Sequence, residues 1–223
     1  RGLPGQGGEA RVARAIHRQA VMSNGRASFR TIPGIHHGIG AGIYARFSAP
    51  MREVVGVFLH KEAADRLRGE ALPVADGVPD DATLREQVVD AANRAGLLQK
   101  KLDRAANGLV LHQLFQDDLA LPLDRQPRRL GTVMGMGRGK VHVQLDDPPI
   151  DVKVRLDDLE AFLGYQLRID SGATRLVRPL GRGISPGVVL RVGDAVNAVV
   201  RGYHPPTDHW EVVCELDSGP LPA

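Results

Sequence analysis

The stretch Tyr44-Ala45-Arg46-Phe47-Ser48-Ala49-Pro50-Met51-Arg52-Glu53-Val54-Val55-Gly56-Val57-Phe58-Leu59-His60-Lys61 changes character at its proline. On the near side, from Ser28 to Ala49, glycines at 34, 38, 40 and 42 separate single apolar residues. That spacing predicts irregular backbone, suited to a ligand channel or to an ordinary loop. On the far side Val54, Val55, Val57, Phe58 and Leu59 run on to Ala63, Ala64 and Leu67. The β-branched residues alone would also suit a strand, but charges at Glu62, Asp65, Arg66 and Arg68 decide for a buried helix.

Working outward, Val12, Ile16 and Met22 lie among good helix formers, and Asn24-Gly25 supplies a stop. Downstream, Asp80 or Asp81 can cap a helix carrying Leu84, Val88, Val89, Ala92 and Ala95. Its period continues through Leu97, Leu98, Leu102, Leu109 and Leu114. The segment Leu121-Pro122-Leu123-Asp124-Arg125-Gln126-Pro127 then breaks the helical period. Beyond it Val141 to Leu145 and Val152 to Leu156 alternate apolar and polar residues around an Asp146-Asp147-Pro148-Pro149 turn. Ala195 to Val200 and Trp210 to Leu216 follow in the same style. Five or so strands after a helical half imply an α+β chain ending in a small barrel such as an OB-fold. The expected division is residues 1–126 and 127–223.

The chain has 223 residues, of which 43% are hydrophobic, enough for one large or two small packed bodies. Net charge is only +3, although the pI is about 9.3, so a polyanion site must come from clustered rather than bulk charge. The lone Cys214 can form neither an internal disulfide nor a multi-thiolate metal site, as suits a reducing cytoplasm; a small residue in a strand is the simplest reading of it. No run approaches the roughly 18 apolar residues of a membrane span, so no membrane partner is expected. The opening Arg1-Gly2-Leu3-Pro4-Gly5, with no initiator methionine, reads as part of a longer chain.

The opening stretch resembles the signature of the ribonuclease II/R (RNB-type) exoribonuclease family, Tyr-x-His-Phe-Thr-Ser-Pro-Ile-Arg-Arg-Tyr-x-Asp-Leu-x-x-His-Arg. Tyr44, Phe47, Pro50, Arg52 and His60 fall in register without a gap. Upstream, His36-His37-Gly38-Ile39-Gly40 is similar to the family's His-Phe-Gly-Leu-Ala, and Met22-Ser23 to a Met-Ser further back. Downstream, Ala92-Asn93-Arg94 to Arg104-Ala105 sits where the family has a helical pair. Residues from Leu130 to Val196 then resemble an OB domain of the ribosomal protein S-one kind. The resemblance implies the helical C-terminal half of an RNB catalytic domain followed by an RNA-binding barrel.

It also implies a chemistry: Mg2+-dependent hydrolysis of single-stranded RNA from its 3′ end, releasing nucleoside 5′-monophosphates. Such a reaction needs hard oxygen ligands, a metal-activated water and a cation for charge growing on phosphate. Only the cation is expected here, from Arg52, whose fork matches phosphate oxygens two at a time. The family's aspartates would lie in an upstream segment, and no aspartate precedes Tyr44. Asp76, Asp80 and Asp81 suit a turn and a helix cap and Asp146-Asp147 a hairpin turn, so no metal ligand is assigned.

For RNA contact the resemblance singles out Tyr44 and Asp103 in the catalytic part, although Tyr44, like Phe47 and His60, fits better as packing of the signature loop. In the barrel, basic residues including Arg129, Lys140 and Arg155 supply charge, and His142 and Arg155 fall where this domain type stacks on bases. Alternation of the barrel residues with valines equally fits plain solvent-facing positions, and Asp103 equally fits a solvated helix charge. Ala49, Glu53, Val54 and Gly56 depart from the signature, and an added carboxylate near a phosphate path weakens RNA binding. The readings are therefore a cytoplasmic 3′-5′ exoribonuclease completed by the N-terminal remainder of the same protein, or an RNA-binding protein on a degenerate RNB scaffold. A barrel serving only as a protein-docking domain is a third, against which its arginines argue.

Overall fold

The computed structural model describes residues 8–23, 28–48, 53–69, 79–122, 124–179 and 187–217. The chain divides into two compact units, Arg1–Ser23 with Ala106–Ala223, and Asn24–Ala105. Helix and antiparallel sheet coexist, as the α+β expectation has it. The first helix belongs with the strands.

In chain order the elements are α1 (Gly8–Ser23), α2 (Val54–Arg68), α3 (Asp81–Leu119), β1 (Arg129–Gly137), β2 (Lys140–Leu145), β3 (Asp151–Arg155) and α4 (Leu156–Leu163). There follow β4 (Arg168–Ile169), β5 (Arg175–Arg178), β6 (Gly187–Arg191), β7 (Ala195–His204) and β8 (His209–Leu216). Both expected flanking helices, the one after Pro50 and the long one after Asp81, form as the apolar spacing predicts. Asp80 is the cap: its Oδ1 accepts the Thr83 amide at 2.8 Å, and this bond holds its carboxyl below the usual range. Eight strands are described rather than about five. The extra three, β4 to β6, are short and arginine-rich, and so lack the apolar alternation that marks β2 and β3. Leu156 opens α4 instead of closing a strand.

Unit Asn24–Ala105 has a small core in which Val55 and Phe58 of α2 pack with Val88 of α3, supported by Phe29, Leu59, Leu84 and Ala92. Asn93 clamps the irregular segment onto it, accepting from the Phe29 amide and donating to the Phe29 carbonyl, both at 3.0 Å. Glycine is required in the turn before Ala41, where Gly40 has φ 66°.

The other unit is built on two antiparallel sheets, one ordered β3-β2-β1-β7-β8 and one β4-β5-β6. Strands β3 and β8, at the two ends of the first order, approach one another. A two-residue turn at Arg138 (φ 50°) and Gly139 (φ 70°) joins β1 to β2, matching the twist of the hairpin. Val133, Val141, Val143, Leu145, Val152, Val154, Leu159, Val196, Val212 and Val213 fill the interior, with Phe115 of α3 against Trp210. Cys214 lies in this core, and burial pushes its thiol up to about 12.

Helix α1 is held to this unit by polar clips. Arg11, 5% exposed, donates to Thr132 Oγ1 and to Asp146 Oδ2, each at 2.6 Å. Arg18 forks onto Asp151 at 2.6 and 2.7 Å, and Gln19 donates to the Met134 carbonyl. A Cβ on Gly193, whose φ is 97°, would lie 2.7 Å from Val12, so helix and turn touch through glycine.

Two outcomes check this packing. Replacing Arg11 by alanine strands Asp146 and Thr132 without their donor and should cost about 3 kcal/mol in chemical denaturation, a large loss for a buried pair broken on one side. Cys214 should stay unreactive to a thiol reagent at neutral pH and react in full once denaturant unfolds the chain.

Candidate nucleic-acid interface

Strands β2 and β3 alternate, and their ladder pairs Lys140 with Arg155, His142 with Lys153, and Gln144 with Asp151. Because side chains alternate with period two, these three pairs share the outer face while Val141, Val143, Leu145, Val152 and Val154 turn inward and are buried. Thr132 and Gly135 of β1 lie opposite Gln144 and His142, so the face extends onto β1.

Helix α1 closes one end of that face. Its Arg11 meets Thr132, and Arg18 neutralises Asp151. The other end stays open and carries Lys140, Arg155, His142 and Lys153, with Arg138 exposed in the adjoining turn. Arg155 reaches the exposed Asp157 at 3.2 Å, an ion pair worth little in water. Lys140 and Lys153 make no ion pair among the described residues.

His142 is half-buried at the inner edge of this strip. Burial pushes its imidazole down from the ordinary histidine range, and the cations of Arg18, Lys153 and Lys140 push the same way against Asp151. These effects favour the neutral ring, a flat surface between cations.

Other expected contact residues lie elsewhere. Arg129 falls on the strand parity of Gly131 and Val133, the inner face, and forks onto the 4%-exposed Asp118 of α3 at 2.6 Å on both oxygens. It locks α3 to β1 and does not share the open strip. Asp103 is exposed on α3 and accepts from Gln99 at 2.8 Å. Tyr44 is half exposed, its ring edge-on to His36 with centroids 5.1 Å apart. Tyr44 and Asp103 belong to unit Asn24–Ala105, the strip to the other. Arg52 lies outside the described residues, as do Asp76 and the departure at Ala49.

The signature's flanks are tied together. His60 Nε2 is 3.1 Å from the Phe47 carbonyl, and the two rings meet edge-on at 5.2 Å. Glu53, where the family has a second arginine, pairs with Arg46 at 2.9 Å, so the carboxylate is partly neutralised within the signature itself.

Among the described residues no three His, Cys, Asp or Glu side chains cluster for a metal. Asp80 caps a helix, Asp81 pairs with Lys61 at 2.7 Å, and Asp146 is held by Arg11.

The sequence reading missed the role of α1. Nothing in Gly8–Ser23 marks Arg11, Arg18 and Gln19 as contacts of the strands, because their partners are more than a hundred residues away. It also missed Asn93 as the clamp on Phe29. An asparagine on a helix flank signals a backbone clamp only once the neighbouring loop is in place.

No family model matches the chain, and no curated protein matches it. Solved structures do. RNase R of Mycoplasma genitalium in complex with ribose-methylated single-stranded RNA is similar over 91% of this chain, with a TM-score of 0.61 and 14% identity. The apo form of the same enzyme is similar over 88%, with a TM-score of 0.59 and again 14% identity. The match spans 29% of the length of those chains. No described helix is long and apolar enough to cross a membrane. The resemblance carried by Tyr44 to Lys61 thus holds at the level of architecture: the chain has an RNase R-like fold.

Proposed function

We propose that the chain is part of a hydrolytic 3′-5′ exoribonuclease that degrades single-stranded RNA to nucleoside 5′-monophosphates, and that its barrel, read as an OB-type domain, holds the RNA. The observation that carries this reading is the open strip on β2 and β3. Two lysines that make no ion pair among the described residues and a weakly paired arginine flank an imidazole whose neutral form is favoured, giving phosphate charge and a stacking surface together. It is supported by an RNase R-like fold, since the similar RNase R of Mycoplasma genitalium is in complex with ribose-methylated single-stranded RNA.

Arg52 is the residue proposed to meet charge on the scissile phosphate, with Tyr44 and Asp103 nearer RNA than the core. Magnesium, in this reading a cofactor of a cytoplasmic enzyme, would be held by aspartates of an upstream segment of the protein. The N-terminal remainder of the same protein is the proposed partner of unit Asn24–Ala105. Ile32, Ile35, Ile39 and Ile43 are 57–76% exposed there, as are Leu97, Leu98 and Leu102 to 54–64%, an apolar surface that calls for a cover.

A second reading, an RNA-binding protein on a catalytically degenerate scaffold, is favoured by Glu53 standing where the signature has an arginine. One assay separates the two. The chain joined to its N-terminal remainder, given Mg2+ and 5′-labelled single-stranded RNA, should yield a ladder shortening from the 3′ end. In Arg52→Ala the ladder should be lost or slowed by about 10²-fold or more, the scale of a removed transition-state charge partner. Intact RNA that is retarded on a native gel would leave only the binding scaffold.

The strip makes its own demands. Lys140→Ala with Lys153→Ala should weaken RNA binding and flatten the slope of log affinity on log salt by about 1.4, roughly 0.7 per phosphate lost. His142 should titrate below about 6.5 when free, by NMR, and its midpoint should rise on adding RNA, because phosphates offset the cations around it. The depressed value makes the unfolded state the better proton acceptor. The stability this group contributes is therefore present above about pH 6.5 and lost as pH falls through and below that value.

A further inference from the structure

Between α1 and the β5–β6 hairpin runs a groove of about 660 Å3, within the roughly 300–1,000 Å3 of small-ligand sites. One wall is apolar, from Val12 and Ile16 of α1 with Val192 after β6; the other carries Arg175 and Arg191. These two arginines are direct ladder partners across β5 and β6. Like charges placed opposite one another destabilise a sheet, and neither guanidinium has a carboxylate ion-pair partner among the described residues.

The nearby carboxylates are already engaged. Asp170 accepts the Thr174 and Arg175 amides at 2.8 and 3.0 Å, and Asp194 accepts the Arg191 amide at 2.7 Å. They hold the backbone of the turns, and although the Asp170 carboxylate also feels the Arg175 charge, both arginines are exposed. Ile16, 61% exposed, offers a bare apolar surface beside them. Gln19 also lines the groove, although its amide is committed to the Met134 carbonyl.

We infer that this groove is a second contact for single-stranded RNA, apart from the strip on β2 and β3, and that it takes a nucleotide unit. Phosphate oxygens sit on the Arg175–Arg191 pair, and the base lies against Ile16 and Val12. The anion relieves the repulsion between paired arginines, and the wall opposite gives the base an apolar seat that a simple anion would not use. The inference rests on the RNA reading of the strip, and it extends the path of the strand onto the three-stranded sheet.

The test is fluorescence anisotropy of the whole chain with a labelled single-stranded RNA over a salt series. Arg175→Ala combined with Arg191→Ala should lower affinity about tenfold and flatten the salt slope by about 1.4, two phosphates at roughly 0.7 each. Ile16→Ser should lower affinity about threefold with the slope unchanged, because it removes a base contact of roughly 0.7 kcal/mol and no charge. All these side chains are exposed, and thermal melts should match the parent. Unchanged affinity and slope in the arginine variant, with Lys140→Ala/Lys153→Ala still impaired, would overturn the groove and leave the strip standing. A chain that binds no RNA at all would overturn both. Loss in the arginine variant with no effect of Ile16→Ser would refute the nucleotide seat and reduce the groove to a phosphate clamp.

Discussion

A strand shows its side chains to two faces in turn, and in this chain that alternation at β2 and β3 decides both what is buried and what can be bound. Val141, Val143, Leu145, Val152 and Val154 turn one way and fill the interior. Lys140, His142, Lys153 and Arg155 turn the other way and are thereby gathered in two rows across a single ladder. A slip of one residue would exchange the sets, placing four polar groups in the core and five apolar ones in water. The same constraint excludes Arg129 from the strip: its parity is that of the interior, and Asp118 receives it there.

The polar clips of α1 follow from that division. A helix with Val12 and Ile16 only partly covered has little apolar area with which to dock, so its attachment depends on Arg11, Arg18 and Gln19. Arg11 is almost wholly buried, and its charge is tolerable because Asp146 and Thr132 satisfy it. By covering one end of the outer face, α1 confines the open part to the half that carries Lys140 and Lys153, which make no ion pair among the described residues. It also forms one wall of the groove beside β5 and β6.

How much of this could be read from sequence depends on the range of each interaction. The helix after Pro50, the cap at Asp80 and the alternating strands are local, and period and turn chemistry show them. The signature from Tyr44 to Lys61 led to the RNase R-like architecture although overall identity is only 14%, because in-register spacing survives when most residues change. The strands β4 to β6 were not legible, since their arginines interrupt the alternation and a ladder such as Arg175 with Arg191 exists only across two segments. The open strip is partly legible: His142, Lys140 and Arg155 stand out in the sequence, whereas the pairing of His142 with Lys153 and of Arg129 with Asp118 exists only across separate segments. The contacts of α1 span more than a hundred residues, and no local pattern encodes them.

The central claim is that single-stranded RNA lies on the open outer face of β2 and β3. The most direct measurement is photocrosslinking of a 4-thiouridine-substituted RNA to the chain, with the attachment sites read by mass spectrometry. The account predicts crosslinks concentrated in the peptides that hold His142 and Lys153, abolished by competing unlabelled RNA. Crosslinks absent from both strands, with the RNA nevertheless bound elsewhere on the chain, would contradict it.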